Sequence, residues 1–259
     1  MTEKVRLGGM ALSNGVLVHG PTAWACAVRL PNGELKVVAE KKRTRASEIN
    51  QPLLRGPARL LEMLTLLPRL KRRVPEAKLP FERPAVLATM IGGAVAVRAV
   101  RGSRLPSLAR ELLAGIASLA PAALSLRGSG LAAYHGAEHI SIGSYEHGER
   151  REKEHERCGS HLVGPILITT ALGNLAAERA PARLRTPARL AAAVGAVATS
   201  MEVFNWMARN PKHPLSRALA KPGHELQHRL GTREPTEAQV EVAEAALEAC
   251  LRLEHDHDP

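Results

Sequence analysis

The residues best able to do chemistry cluster in one window of the chain. Five of the eleven histidines lie between positions 135 and 161, with Glu138, Glu146 and Cys158 among them. The segment "YHGAEH" (134–139) sets His135 and His139 four apart. On a helix, residues i and i+4 share a face, so both imidazoles can meet one metal ion. Glu138, three residues after His135, is placed to bind that ion or to take a proton from a water beside it. The order H-x-x-E-H is that of the inverted zinc-protease motif, which needs a third protein ligand. Glu202 is one source. It interrupts the apolar run "AVATSMEVFNW", where a carboxylate is costly unless it is paired or coordinating. Cys158 and His161, in "RCGSH", form a second pair whose sulfur and imidazole suit zinc.

Two functional readings follow. In the first, His135, His139 and Glu202 hold Zn2+ or another divalent transition metal, Glu138 activates water, and the protein is a metal-dependent, peptidase-like hydrolase. In the second, Cys158 or His161 closes the site as a fourth ligand. The metal is then structural, in a non-enzymatic membrane assembly or scaffold factor. The plainer alternatives are two histidines sharing a helix face, and a reduced cysteine in a glycine-containing turn with His161 capping the next helix. The charge-dense run "EHGERREKEHERC", with His147, Glu152, Glu154 and His155, reads as a solvated loop.

The elements that must position these residues are read from composition and periodicity. The chain has 259 residues, enough to bury a core, but only two each of Phe, Trp and Tyr. Ala, Leu and Val must do the packing, which favours helices. The net charge of +11 suits nucleic acid or an anionic membrane surface. With so few aromatic side chains to stack on bases, nucleic acid is not expected as a partner. Cys26, Cys158 and Cys250 form no C-x-x-C pair, so a reducing compartment without disulfides is expected. The first fifteen residues hold no apolar run of signal-peptide length, so export is not expected.

Residues 7–40 read as short strands, with "PNG" (31–33) as a hairpin turn. Residues 40–48 read as a solvated basic loop, and 53–70 as a helix ending near Pro68. The proline-punctuated stretch 68–84 is the expected boundary between an N-terminal β-rich unit with its following helix (1–70) and a helical body (71–259). Four alanine-rich apolar stretches follow, at 84–97, 108–126, 161–177 and 190–208. Hydropathy alone leaves them as core helices of a soluble domain or as marginal spans. Flanking arginines such as Arg83, Arg98, Arg101, Arg179, Arg189 and Arg209 suit a membrane interface. Thr236 and Gln239 make a capping-box pattern that starts an amphipathic C-terminal helix. Its expected buried face is Val240, Ala243, Leu247, Cys250 and Leu251. The fold class expected is α+β.

The blocks "GGMALSNGVLVHGP" with "AWACAVRLPNGEL", "YHGAEHISIGSYE", "RCGSHLVGP", "SMEVFNW" and "PGHELQHRLGTREPTEAQVEVAEAAL", in this order, resemble the YqhQ-like family of bacterial proteins. The resemblance implies a multi-pass protein of the bacterial cell membrane, in contact with lipids and carrying a metal centre, with no reaction assigned. Met10 and Asn14 stand where that family commonly has Gln and Glu. Asn14 and His19 are further residues able to face a site.

Overall fold

A computed structural model describes residues 4–126 and 130–256 of the chain. The β-prone N-terminal runs form β1 (Gly8–Leu12), β2 (Gly15–His19), β3 (Ala23–Arg29) and β4 (Leu35–Lys41). They pair as an antiparallel meander in the order β1-β2-β3-β4, so β1 and β4 are the edges. The helices are α1 (Arg55–Arg73), α2 (Pro84–Arg101), α3 (Ser107–Ser118), α4 (Ala120–Ser125), α5 (Leu131–His147), α6 (Val163–Glu178), α7 (Arg185–Arg209), α8 (Pro214–Leu226) and α9 (Glu237–His255). The chain is α+β, as its composition suggests.

Strand alternation sends Val16, Val18, Ala23, Ala25 and Ala27 to one face of the sheet, where α5 and α9 cover them. Leu12, Leu17, Trp24, Cys26 and Val28 go to the other face, against Leu66 and Leu70 of α1. The small side chains explain how a core with so few aromatics closes. Ala243, Ala246 and Ala249 of α9 let that helix sit close to the alanines of β3. Val240, Ala243, Leu247 and Cys250 are buried as expected, and Leu251 is half-buried. Thr236 N–H donates to the Gln239 side chain at 2.9 Å, one half of the capping box.

Three local details depart from the sequence reading. Helix α1 does not stop at Pro68 but runs on to Arg73, because Leu66 and Leu70 on either side of the proline are anchored under the sheet. The stretch read as a connector also sends Val74, Ala77 and Leu79 into that core. Lys42, read as part of a solvated loop, is buried. Its ammonium donates to Glu62 at 2.7 Å, both side chains being at most 7% exposed.

The four apolar stretches become helical segments that leave the sheet: Pro84–Arg101, Ser107–Ser125, Gly159–Glu178 and Ala182–Arg209. Each is long and apolar enough to cross a membrane. Their apolar side chains point outward rather than into a protein core. Ile91, Val95, Ile116, Leu172, Leu190 and Val194 are all exposed.

The two ends of the chain are tied by a buried carboxylate. Glu254 of α9 accepts from Thr22 N–H at 2.8 Å, Ala23 N–H at 2.7 Å and the Thr22 hydroxyl at 2.8 Å. Replacing Glu254 with Ala leaves these donors unmet at the β2–β3 turn. We expect Glu254→Ala to lower unfolding stability by about 2 kcal/mol, read by denaturant titration of the purified protein. A change indistinguishable from zero would show that water reaches this turn.

Candidate metal centre

Helix α5 is buried on most of its surface, from Leu131 to Gly143. Its polar side chains at 135, 138 and 139 therefore project into protein. The helix ends at Gly148, whose φ of +78° only glycine adopts without strain. This turn sends the chain back along α5, and the return brings Lys153, His155 and Cys158 beside the two histidines.

His135, His139 and Cys158 come together. One ligand atom from each lies within 4.8 Å of the others, and Cys158 Sγ is 3.6 Å from His135 Nε2. Ligand atoms around a tetrahedral zinc lie about 3.3–3.8 Å apart, so a small contraction would suffice. The His135 Nδ1–H donates to the Gly231 carbonyl at 2.8 Å, and the His139 Nδ1–H to the Lys153 carbonyl at 2.7 Å. Carbonyls only accept, so both protons sit on Nδ1, and both Nε2 atoms are left unprotonated beside the Cys158 sulfur. Metal-binding histidines are oriented in this way.

Burial disfavours charge on His139, and His135 adds to this, so its pKa lies below the ordinary imidazole value. Burial also opposes ionisation of Cys158. The hydrogen bond and charge of His139, with the Ser160 amide and hydroxyl, outweigh it and bring the thiol below its usual range. Glu138 is buried, and Oε2 has no hydrogen-bond partner. Burial pushes its carboxyl up to about 7, against the pull of His135 and the Ala11 amide. Its Oε1 presses on Gly9 of β1: a Cβ there would lie 2.3 Å away, so only glycine fits.

These groups line a cavity of about 490 Å3 that also touches Met10, His19, Met63, Pro80 and Leu126. His19 enters it from the far face of the sheet. Burial and the neighbouring Lys42 hold its pKa down at about 4, so the ring is neutral. Lys42 donates to His19 Nδ1 at 3.2 Å, which puts the ring proton on Nε2.

Other residues singled out in the sequence lie elsewhere. Glu202 does not reach the histidines. Its carboxylate is held by the Arg55 guanidinium, through Nε at 2.8 Å, and by the Leu53 N–H at 3.2 Å. The cost of a carboxylate in an apolar run is thus met by an ion pair. The His161 Nδ1–H donates to the Glu156 carbonyl at 2.8 Å, and the ring lines a different cavity with His224. Asn14 closes the β1–β2 turn and accepts from Lys78 N–H at 2.9 Å, which is a structural position. His155 is not free in solvent: it bonds Glu146 at 3.0 Å, and Arg157 bonds the same carboxylate at 2.9 Å.

Sequence reasoning missed Gln227. It is fully buried in the π-turn Gln227–Gly231, accepts from His155 N–H at 3.1 Å and donates to Ser160 Oγ at 2.7 Å. It therefore holds both sides of Cys158, while Gly231 of the same turn orients His135. π-turns recur at functional sites, but no local sequence pattern marks this one.

The fold and this cluster define a class: an α+β protein with a compact head, outward apolar helices and a His–His–Cys site. Residues 130–253, which carry that cluster, match the family described as "Protein of unknown function (DUF1385)". The chain is also 33% identical over 129 residues to the uncharacterized protein YqhQ of Bacillus subtilis (strain 168). Over this stretch the chain is similar to a YqhQ-like family of unknown function. The shared region covers 47% of this chain and 40% of that relative, so the chain spans less than half of the relative's length. No solved structure matches.

The Lys42–Glu62 pair has a pH consequence. Burial alone would raise the Glu62 pKa, but the hydrogen bonds of Lys42 and the Ala46 amide lower it below the ordinary value. A depressed folded pKa adds stability above the unfolded pKa, and this is lost as pH falls through the folded value. We expect Glu62→Gln to cost roughly 3 kcal/mol at neutral pH, because it strands a buried ammonium. The deficit should shrink in acid, below the folded pKa, when unfolding is followed against pH. An equal deficit at every pH would rule out this origin.

Proposed function

We propose that the protein is a membrane-embedded, metal-dependent hydrolase whose ion is held by His135, His139 and Cys158. The observation that carries this is the convergence of two pre-oriented Nε2 atoms and one Sγ within 4.8 Å. A donor set of two nitrogens and a thiolate suits zinc. Among the described residues the cluster stops at three donors. Structural zinc is closed by four protein ligands, whereas catalytic zinc has three and an open position. The three-donor count and the adjoining cavity favour catalysis over a purely structural metal.

A zinc ion here would supply Lewis acidity toward a carbonyl or phosphoryl oxygen. The chain's own residues do the rest. Glu138 Oε2, buried and unpartnered beside the cluster, accepts the proton of an attacking water and returns it to the leaving group. The Gly231 and Lys153 carbonyls keep the imidazoles in the ligating tautomer. His19 presents its Nε2–H as a neutral donor to a substrate oxygen.

The membrane reading rests on topology. Residues from 7–27, 131–142 and 240–250 share one core and must lie on one side of a bilayer. The chain must therefore cross an even number of times between them. The four apolar segments fall as two pairs, one before α5 and one before α9, which meets this condition. Cavity residues Pro80, Leu126 and Gly159 flank span ends, so the site lies at the membrane-facing side of the head.

Elemental analysis of protein purified in detergent tests the site. We expect about one zinc per chain in the wild type and in Glu138→Gln, and a loss of most of it in His135→Ala, His139→Ala and Cys158→Ser. Glu202→Ala should keep its metal. Stoichiometric metal in the first three variants would overturn the assignment. Retention in the membrane fraction after an alkaline wash is expected of the wild type, and release would overturn the spanning arrangement.

A further inference from the structure

Strand β1 is an edge of the sheet, and its residues 8–11, with Leu7 just before them, line the cavity that holds the histidines and Cys158. In an antiparallel pair, the backbone groups of alternate residues face the partner strand and the others face away. Arg29 N–H donates to the Asn14 carbonyl and Gly20 N–H to the Ala23 carbonyl, so the even-numbered residues of β2 face β3, while Gly15, Leu17 and His19 face β1 and pair with Leu12, Met10 and Gly8. Ala11 is therefore an outward position, and so is Gly9, two residues earlier. Among the described residues, Gly9 makes no backbone hydrogen bond outside the sheet. Gly8 and Gly9 carry no side chain to shield this edge, and both are only half-buried.

We propose that β1 takes an extended polypeptide segment as an added strand, which leads that segment's main chain past Glu138 and the metal cluster. Outward N–H and C=O groups at strand spacing are complemented by another extended main chain. The apolar walls from Met10, Met63, Leu126 and Ile142 accept its side chains. A phosphate-bearing ligand is a poor match. Among the described residues Arg157 is the one Lys or Arg on the wall, and it is already paired with Glu146. The position of the cavity beside the span ends suits a segment presented at the membrane surface. The inference deepens the hydrolase reading and rests on it for its consequence, but the docking itself needs no metal.

The probe is the capped peptide Ac-Lys-Val-Ala-Val-Ala-Val-Glu-NH2, with two isomers N-methylated either at both alanines or at the last two valines. The isomers have equal composition and partition equally into detergent. Binding is read by calorimetry on the full chain, and amide exchange over residues 7–12 by mass spectrometry. We expect one isomer to bind like the parent and the other to lose about tenfold or more, since it forfeits two main-chain hydrogen bonds. Exchange over residues 7–12 should slow when the parent binds. The same preference is expected after chelation and in Cys158→Ser. Equal binding by both isomers, no protection of β1, or no parent binding at about 1 mM overturns the docking. If the preference holds but the wild type, purified without chelator, carries no metal, the hydrolase reading falls and the docking stands.

Discussion

The site depends on the burial of α5. That helix is covered by the sheet and α9 on one side and by the returning loop 149–158 on the other. Polar groups on such a helix cannot be left to water, and each must find a partner inside the protein. His135 and His139 do so through backbone carbonyls of two different segments, Gly231 and Lys153. The same contacts that satisfy burial also aim the free nitrogens at Cys158. Glu138 Oε2 and Ser141 Oγ are exceptions, buried without a hydrogen-bond partner. A buried acceptor without a donor is costly, and such groups concentrate where chemistry uses them.

A second constraint is the union of the chain's ends in one core. Glu254 from α9 holds the β2–β3 turn, and α9 lies across the same sheet face as α5. The two helical excursions between these segments are free to project, because the head closes without them. This separates a packed head from helices whose apolar side chains face outward and that are long and apolar enough to cross a membrane. Polar groups on those helices are answered locally, as Glu202 is by Arg55 and as Glu111 is by Asn174 at 2.7 Å.

The far side of the cavity follows the same logic. A buried ammonium and carboxylate, Lys42 and Glu62, lie beneath β2 and fix the tautomer of His19. Breaking either partner strands a charge, so the arrangement is rigid as well as costly. Rigid support of this kind is what a site needs when its donors must stay aimed without a ligand present.

The local pattern of the chain determined the elements. Short β-prone runs marked the strands, the PNG turn marked the β3–β4 hairpin, and the capping residues with the Val240–Cys250 stripe marked α9. These are short-range effects of backbone sterics and amphipathic burial, so they can be read from neighbours along the chain. The i, i+4 histidine pair was legible for the same reason. Which third residue joined it was not. Glu202 and Cys158 both had suitable chemistry, and only the reversal at Gly148 and the clamp of Gln227 brought Cys158 in. Likewise Lys42 looked solvated until the sheet and α1 closed over it. Contacts between distant segments depend on how the layers pack, and side-chain type alone does not encode that packing.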